Sequence, residues 1–445
     1  MYRNAYLYVF YRKVKQQLTS YINNVYNTLT PMKKRTIAVI DLKAFYSYVE
    51  CLDRGLDPWT TPLVVADKER GTNTIVLSVS PYLKKFGIPS RCRIKELPRK
   101  FKYIYAIPRM ERYLEKSADV INVLYHFVSE EDVHVYSIDE AFVDLTSYLQ
   151  YYGKTPLQMV TTIINQIKED TGLQATAGIG DNFFLAKVAL DIYAKKEKNG
   201  IARITSEEVK EKLWPITPLS KVWSIGTRTE AKLNAMNLFT VKDIAVSDVD
   251  YLKSKFGVMG EQLWRHANGI DDADIHEKYE PKEKSLSQGQ VLFRDYNKTE
   301  AVTIIREMVD ELSSRMRSQG KMTYVVAIFV GYSKNKGGFA RRSTLLSATD
   351  DTDTLLEAIL ELYHKYVQDL PIRHLSISFG DLKDASHQQL NIFEDDEAQF
   401  EKHNLQKALD LLHSKYGKNS VLRASALLEE STVKERNEFI GGHRK

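Results

Sequence analysis

Ile37-Ala-Val-Ile-Asp41 and Val135-Tyr-Ser-Ile-Asp139-Glu140 are two apolar runs of strand character that each end abruptly in carboxylate. Neighbouring strands that deliver Asp and Glu to one sheet edge build a site for hard divalent cations, so magnesium and phosphate chemistry is the first inference. A helix start follows Asp41 directly, and its first amides, at Ala44, Phe45 and Tyr46, would face a phosphate held there. Asp139 and Glu140 are adjacent, and in regular strand they would point to opposite faces. Both can serve one site only if a hairpin turn interrupts the pleat. Taken singly, Asp41 is also readable as a helix cap and Ser-Ile-Asp-Glu as a polar turn.

Working outward, strands and helices alternate from residue 36 to about 195. The expected elements are Thr36 to Asp41, the amphipathic Phe45 to Leu52, Leu63 to Ala66, Thr74 to Val79, a helix near 111 to 128, and the hairpin around Ser137. This is an α/β body. At 445 residues the chain is too long for one core, and two to four domains are expected. Its two cysteines, Cys51 and Cys92, have no metal-type spacing, which fits a reducing cytoplasm and excludes a disulfide framework. No run is long and apolar enough to span a membrane, so no membrane partner is expected. Residues 1–35 read as an N-terminal extension, with Met32 a candidate translation start.

Residues 215 to 270 are helical and glycine-punctuated. Trp223-Ser-Ile-Gly226-Thr-Arg228 forms a turn between helices whose amides suit a phosphate. Beyond a charged linker, residues 286 to 382 read as strand, helix, two strands, helix, strand, a pattern that folds as a four-stranded sheet backed by two helices. The loop joining its two middle strands carries Lys334, Lys336, Arg341 and Arg342 without an acid. That cluster suits a polyanion, and equally a solvated hairpin. Net charge is +5, which permits such a partner. The polar tail is expected to be helical between Glu397 and Ser414.

Leu422-Arg-Ala-Ser-Ala-Leu and Glu435-Arg-Asn-Glu-Phe-Ile-Gly-Gly-His443 resemble the tail of the ImpB/MucB/SamB group of Gram-positive type, and four ordered blocks resemble motifs of the Y-family, or translesion, DNA polymerases. They are Ile40-Asp-Leu-Lys-Ala-Phe45-Tyr46, Ser80-Pro-Tyr82-Leu-Lys84-Lys-Phe86-Gly87, Tyr136-Ser-Ile-Asp139-Glu140-Ala-Phe142, and Gly178-Ile-Gly-Asp-Asn-Phe-Phe-Leu-Ala186-Lys187. The resemblance implies an α+β right-hand polymerase. Its palm would span 36–53 and 112–195, small fingers 54–111, a helix-hairpin-helix thumb 196–272, a linker 273–285, a βαββαβ little finger 286–385 and a tail 386–445. It implies that Asp41, Asp139 and Glu140, with the Leu42 carbonyl, hold two Mg²⁺ ions for nucleotidyl transfer, and that Tyr46 is a steric gate against ribose.

Tyr82, Lys84 and Lys187 would contact the triphosphate, although the family usually has arginine where this chain has Lys84. Gly226 and Arg228, with Ser224 in place of a usual glycine, would hold primer-template DNA, as would the basic loop. Gln389-Leu390-Asn-Ile392-Phe393 is similar to the pentapeptide that binds the bacterial sliding clamp. A recombinase filament is a further partner that the residues leave open. The resemblance implies error-prone synthesis from deoxynucleoside triphosphates in the SOS response, with no segment left for a proofreading nuclease. A non-catalytic DNA-binding scaffold and a palm-type nucleotide cyclase are the alternatives.

Overall fold

The computed structural model describes residues 35–277, 284–334, 336–385 and 396–445. The N-terminal extension up to residue 34 and the pentapeptide 389–393 lie outside the described residues. The chain divides into two compact units, residues 1–278 and 279–445.

In the first unit, β1 (Ile37–Leu42) is the central strand of a five-stranded sheet. On one side β1 pairs antiparallel with β6 (Glu140–Asp144), which pairs with β5 (Val133–Ser137). On its other side lies β7 (Ala175–Gly180), followed by the parallel β8 (Ile201–Ile204). The run is apolar on both faces because both are covered, and Ile37, Ala38 and Val39 are wholly buried. Ile37 and Val39 pack with Phe142, Phe183, Ala186 and Leu190 beneath α4 (Phe183–Val188), which follows α1 (Phe45–Asp53), α2 (Met110–Tyr125) and α3 (Pro156–Thr171) along the chain.

Gly178 and Gly180 explain how close α4 lies to the sheet. A Cβ on Gly178 would stand 2.0 Å from the Ala186 carbonyl oxygen, and one on Gly180 would stand 2.3 Å from the Ala186 nitrogen. The helix does not end regularly. It continues as a π turn over Ala189–Tyr193 and a 3₁₀ turn over Ala194–Lys196.

A smaller three-stranded sheet is built from β2 (Leu63–Val65), β3 (Ser78–Val79) and β4 (Ile104–Ala106). The strand expected over Thr74 to Val79 is shorter than its composition suggests. Its first half turns aside to pair with the 91–94 segment, where Val76 N–H donates to the Cys92 carbonyl and Arg91 N–H to the Val76 carbonyl. Four short helices follow later in the chain: α5 (Thr227–Ala235), α6 (Val241–Ala245), α7 (Val249–Phe256) and α8 (Val258–Ala267).

The second unit has β9 (Leu286–Tyr296), α9 (Glu300–Ser318), β10 (Lys321–Tyr332), β11 (Gly338–Thr349), α10 (Thr352–Tyr366) and β12 (Ile372–Asp384), with spatial strand order β11-β10-β12-β9. All pairings are antiparallel. β11 is therefore an edge strand and not a middle one. Both helices cover one face, where Val326, Ile328, Val330, Leu375, Ile377 and Phe379 are buried.

The tail is structured beyond its expected helix. After α11 (Asp396–Tyr416) the chain returns across α9: Arg423 Nε donates to Asp310, Lys418 pairs with Glu311, and buried Glu307 accepts from Ser431 Oγ and from the Thr432 N–H and hydroxyl.

Candidate active site and nucleic-acid interface

Strand register decides which carboxylates meet. Asp41 lies directly opposite Glu140, and both continue the face of Val39 and Phe142, which α4 covers. The chain turns at Ile138-Asp139 between β5 and β6, supplying the break in the pleat that two adjacent carboxylates require. Leu42 N–H donates to the Asp139 carbonyl at 2.9 Å, which fixes the turn against the end of β1. Ser137 Oγ donates to Asp139 Oδ1 at 2.7 Å.

The backbone brings these acids to one sheet edge, where Asp41 feels the charge of Asp139 and Glu140 that of Asp41. Among the described residues no group of three or more His, Cys, Asp or Glu side chains is arranged as it stands to hold a metal ion. Glu140 Oε1 lies 2.7 Å from Lys187 Nζ, and Lys187 is also 3.2 Å from Asp191. Burial pushes the Asp41 carboxyl above its ordinary pKa, and repulsion from Asp139 adds to this against the attraction of Lys195 and Lys187. Glu140 is raised too, first by burial, with Lys187 opposing and Asp41 and Asp191 reinforcing. The donors are all oxygens, and burial leaves their charge under-compensated. In chemistry they fit a hard divalent cation.

Lys187, expected to contact the triphosphate, is buried at 6% exposure and pairs with Glu140 and Asp191. Burial works against its charge, yet those two acids keep its pKa raised. The reading missed Lys195 and Asp191. Lys195 Nζ is 2.8 Å from Asp191, its side chain is nearly half exposed, and Asp41 is the largest force that burial has to contend with in keeping it charged. The spacing of Lys187, Asp191 and Lys195, four residues apart each time, is the signal that could have found them.

Ala44, in the left-handed region at φ 50°, caps α1 with no side-chain hydrogen bond. Phe45 is buried, and Tyr46 stands half-buried on the first turn. Burial raises the Tyr46 phenol, as does Asp139, while Arg91 opposes, so the gate candidate shares a field with the carboxylates. Lys84 shares it as well: partial desolvation holds its ammonium low, against the pull of Asp41 and Asp139. The Tyr82 ring, by contrast, packs edge-on against Phe86 and Phe101. Lys85 lies over Trp59 at 5.0 Å.

Gly226 caps α5 with φ −83°, and Arg228 lies exposed in the first turn. Ser224, at φ 75°, takes the left-handed conformation itself. The turn sits against the sheet through Trp223, whose Nε1 donates to the Tyr136 hydroxyl at 3.3 Å.

In the second unit, the four cations expected to act together are divided. Lys334 and Lys336 belong to the β10–β11 connection. Arg341 and Arg342 lie in β11 itself, opposite Ile328 and Ala327, and so project to opposite faces. The Arg341 guanidinium stacks on Tyr366 at 4.6 Å on the helix side. Arg342 is on the open face with Gly289, Ala340, Ser376 and Ser378, small groups that let a polyanion backbone come close.

Comparison with known proteins agrees with this geometry. Residues 40–191 match the impB/mucB/samB family, 283–392 its C-terminal domain, and 206–238 the IMS family HHH motif. A Bacillus subtilis (strain 168) protein described as the UV-damage repair protein UvrX is 36% identical over 416 residues, covering 92% of this chain and 98% of that protein. The chain belongs to the impB/mucB/samB family of Y-family DNA polymerases. DNA polymerase IV 2 of the same organism is 31% identical over 93% of this chain and 100% of its own length.

A solved Y-family chimera, Dbh-Dpo4(243-245)-Dbh, superposes with TM-score 0.63 at 20% identity, over 78% of this chain and 99% of its own. The polymerase thus has the Y-family fold: palm and fingers sheets, a helix-hairpin-helix thumb and a four-stranded antiparallel little-finger sheet. It is a repair polymerase of the DNA polymerase IV type. Among the described residues no helix is long and apolar enough to cross a membrane.

Proposed function

We propose that the polymerase carries out error-prone translesion synthesis in the SOS response, adding deoxynucleotides to primer-template DNA by two-metal nucleotidyl transfer without proofreading. The observation that carries this reading is the cross-strand pair Asp41 and Glu140, with Asp139 in the adjoining turn. Asp41, Asp139, Glu140 and the Leu42 carbonyl would hold two Mg²⁺ ions, which supply the charge that activates the primer hydroxyl and neutralises the triphosphate. Lys187 holds Glu140 in place. Lys195 and Lys84 meet the phosphates beside the N–H groups of Ala44, Phe45 and Tyr46, and the Tyr46 ring excludes the 2′ hydroxyl.

The domain limits that go with this reading are a palm over 36–53 and 112–195, fingers over 54–111, a thumb over 196–272 and a little finger over 286–385. Gly226, Arg228, Lys334, Lys336 and Arg342 would contact DNA phosphates. Gln389, Leu390, Ile392 and Phe393 would bind the sliding clamp in a cytoplasmic setting, with a recombinase filament as a further candidate partner.

Primer extension on undamaged and abasic templates, with and without Mg²⁺, tests the reading. Asp139→Ala with Glu140→Ala should abolish extension and leave DNA affinity within about threefold. Extension by that double variant would refute the metal assignment.

A further inference from the structure

The steric gate has a backstop that the proposed mechanism does not use. Tyr46 stands on the first turn of α1, and its ring meets the ring of Tyr113, on α2, edge to face at 5.0 Å between centroids. Tyr113 is itself wholly buried, and its hydroxyl donates to Glu50 Oε1 at 2.7 Å. Arg109 Nε donates to the same oxygen at 2.9 Å, and Arg54 occupies the other one. Arg109 and Arg112 also grip Asp53.

Glu50 is a carboxylate at 0% exposure on the same helix as the gate, one turn along. An apolar pair would join α1 to α2 at least as well, because a buried ion pair rarely stabilises more than packed hydrocarbon does. What the network adds is direction. It pins the Tyr113 phenol at its far end and holds its ring against Tyr46 in one orientation.

We propose that Tyr113, held by Glu50 and Arg109, is a positioning residue for sugar selection: it fixes the rotamer in which Tyr46 blocks a ribose. A tyrosine on a helix has two accessible χ1 wells, and only a ring held over the sugar position discriminates. Tyr113 is the wall that removes the second well. The inference rests on Tyr46 being the gate.

The test is single-nucleotide primer extension by the full-length protein, comparing kcat/KM for ribonucleoside and deoxyribonucleoside triphosphates. Tyr113→Leu should raise the ribo-to-deoxy ratio about fivefold to tenfold, while deoxynucleotide incorporation changes less than about threefold. Tyr113→Phe keeps the ring but frees its far end, and should give a smaller rise of about twofold. In a Tyr46→Ala background, Tyr113→Leu should add nothing, since no gate remains to be positioned.

An unchanged ratio in folded Tyr113→Leu, alongside a raised ratio in Tyr46→Ala, overturns the positioning role and spares the gate. If Tyr46→Ala leaves the ratio unmoved, the gate assignment falls and this inference falls with it. Should Tyr113→Leu not fold, Tyr113→Phe decides: a ratio equal to that of the unaltered protein rejects the proposal.

Discussion

Asp41, proposed above as a metal ligand, shows what a buried carboxylate costs the protein that holds it. Burial, the largest cause, and the neighbouring Asp139 raise its pKa above 3.8, so the ionised form is less favoured in the folded chain than in the unfolded one. Asp41→Asn should therefore stabilise the metal-free protein at pH 7 by about 1–3 kcal/mol while abolishing primer extension. The penalty grows as pH climbs from the unfolded value to the raised folded one and is constant above that. The stability advantage of the Asn variant should accordingly vanish below pH 3.8, where both states are protonated. Melting curves of the two proteins across pH, without divalent cation, check the sign, and a variant that melts lower at pH 7 would refute it. That Asp41, Asp139 and Glu140 come to one sheet edge was legible in the sequence because a strand that ends in charge is a local pattern. For Lys195 the four-residue spacing announces only a partner for Asp191; its approach to Asp41 follows a π turn that no local pattern shows.

Ser224 applies the same logic to an element, the thumb turn. The chain needs a left-handed residue ahead of α5, and it uses serine at φ 75° where glycine would be unstrained. Relief of that strain should slightly exceed the extra entropy that glycine loses on folding. Ser224→Gly is thus expected to be neutral or stabilising by about 0.5 kcal/mol, and Ser224→Val, which is β-branched, to destabilise by about 1–2 kcal/mol. Thermal melting checks both, and equal effects would show that the backbone conformation is not what limits the turn. Regular elements were readable wherever one face is buried and the other wet. α9 spans Glu300–Ser318 as its periodicity indicates, and the alternation along β9, β10 and β12 announces the sheet. The failure at Thr74 to Val79 has a physical origin: β-branched composition cannot say whether a partner is a neighbouring strand or a crossing loop.

For the whole molecule, the chain's final segment and its basic strand divide stability from binding. Glu307 is buried in the middle of α9 and is satisfied by Ser431 and Thr432, so the tail belongs to the core of the second unit. Deleting residues 417–445 strands that carboxylate and should lower the stability of the unit by about 3 kcal/mol, read as an earlier melting transition. If the transition did not move, the tail would be dispensable packing. The arginines of β11 make the complementary case, because adjacent strand residues face opposite ways and one basic stretch of sequence therefore does two jobs. Arg341 is committed to the Tyr366 ring beside the helices, and Arg342 shares the open face with Gly289, Ala340, Ser376 and Ser378. Arg342→Ala should weaken DNA binding about threefold to tenfold on every sequence and reduce the slope of log affinity against log salt by about 1. Arg341→Ala should leave that slope unchanged and lower the melting temperature instead, since it forfeits a cation–π contact and releases no counterions. A salt titration of duplex binding with both variants separates the outcomes: equal slopes for the two would mean that both guanidinium groups reach phosphate, and the sheet would then present its helix side to DNA as well.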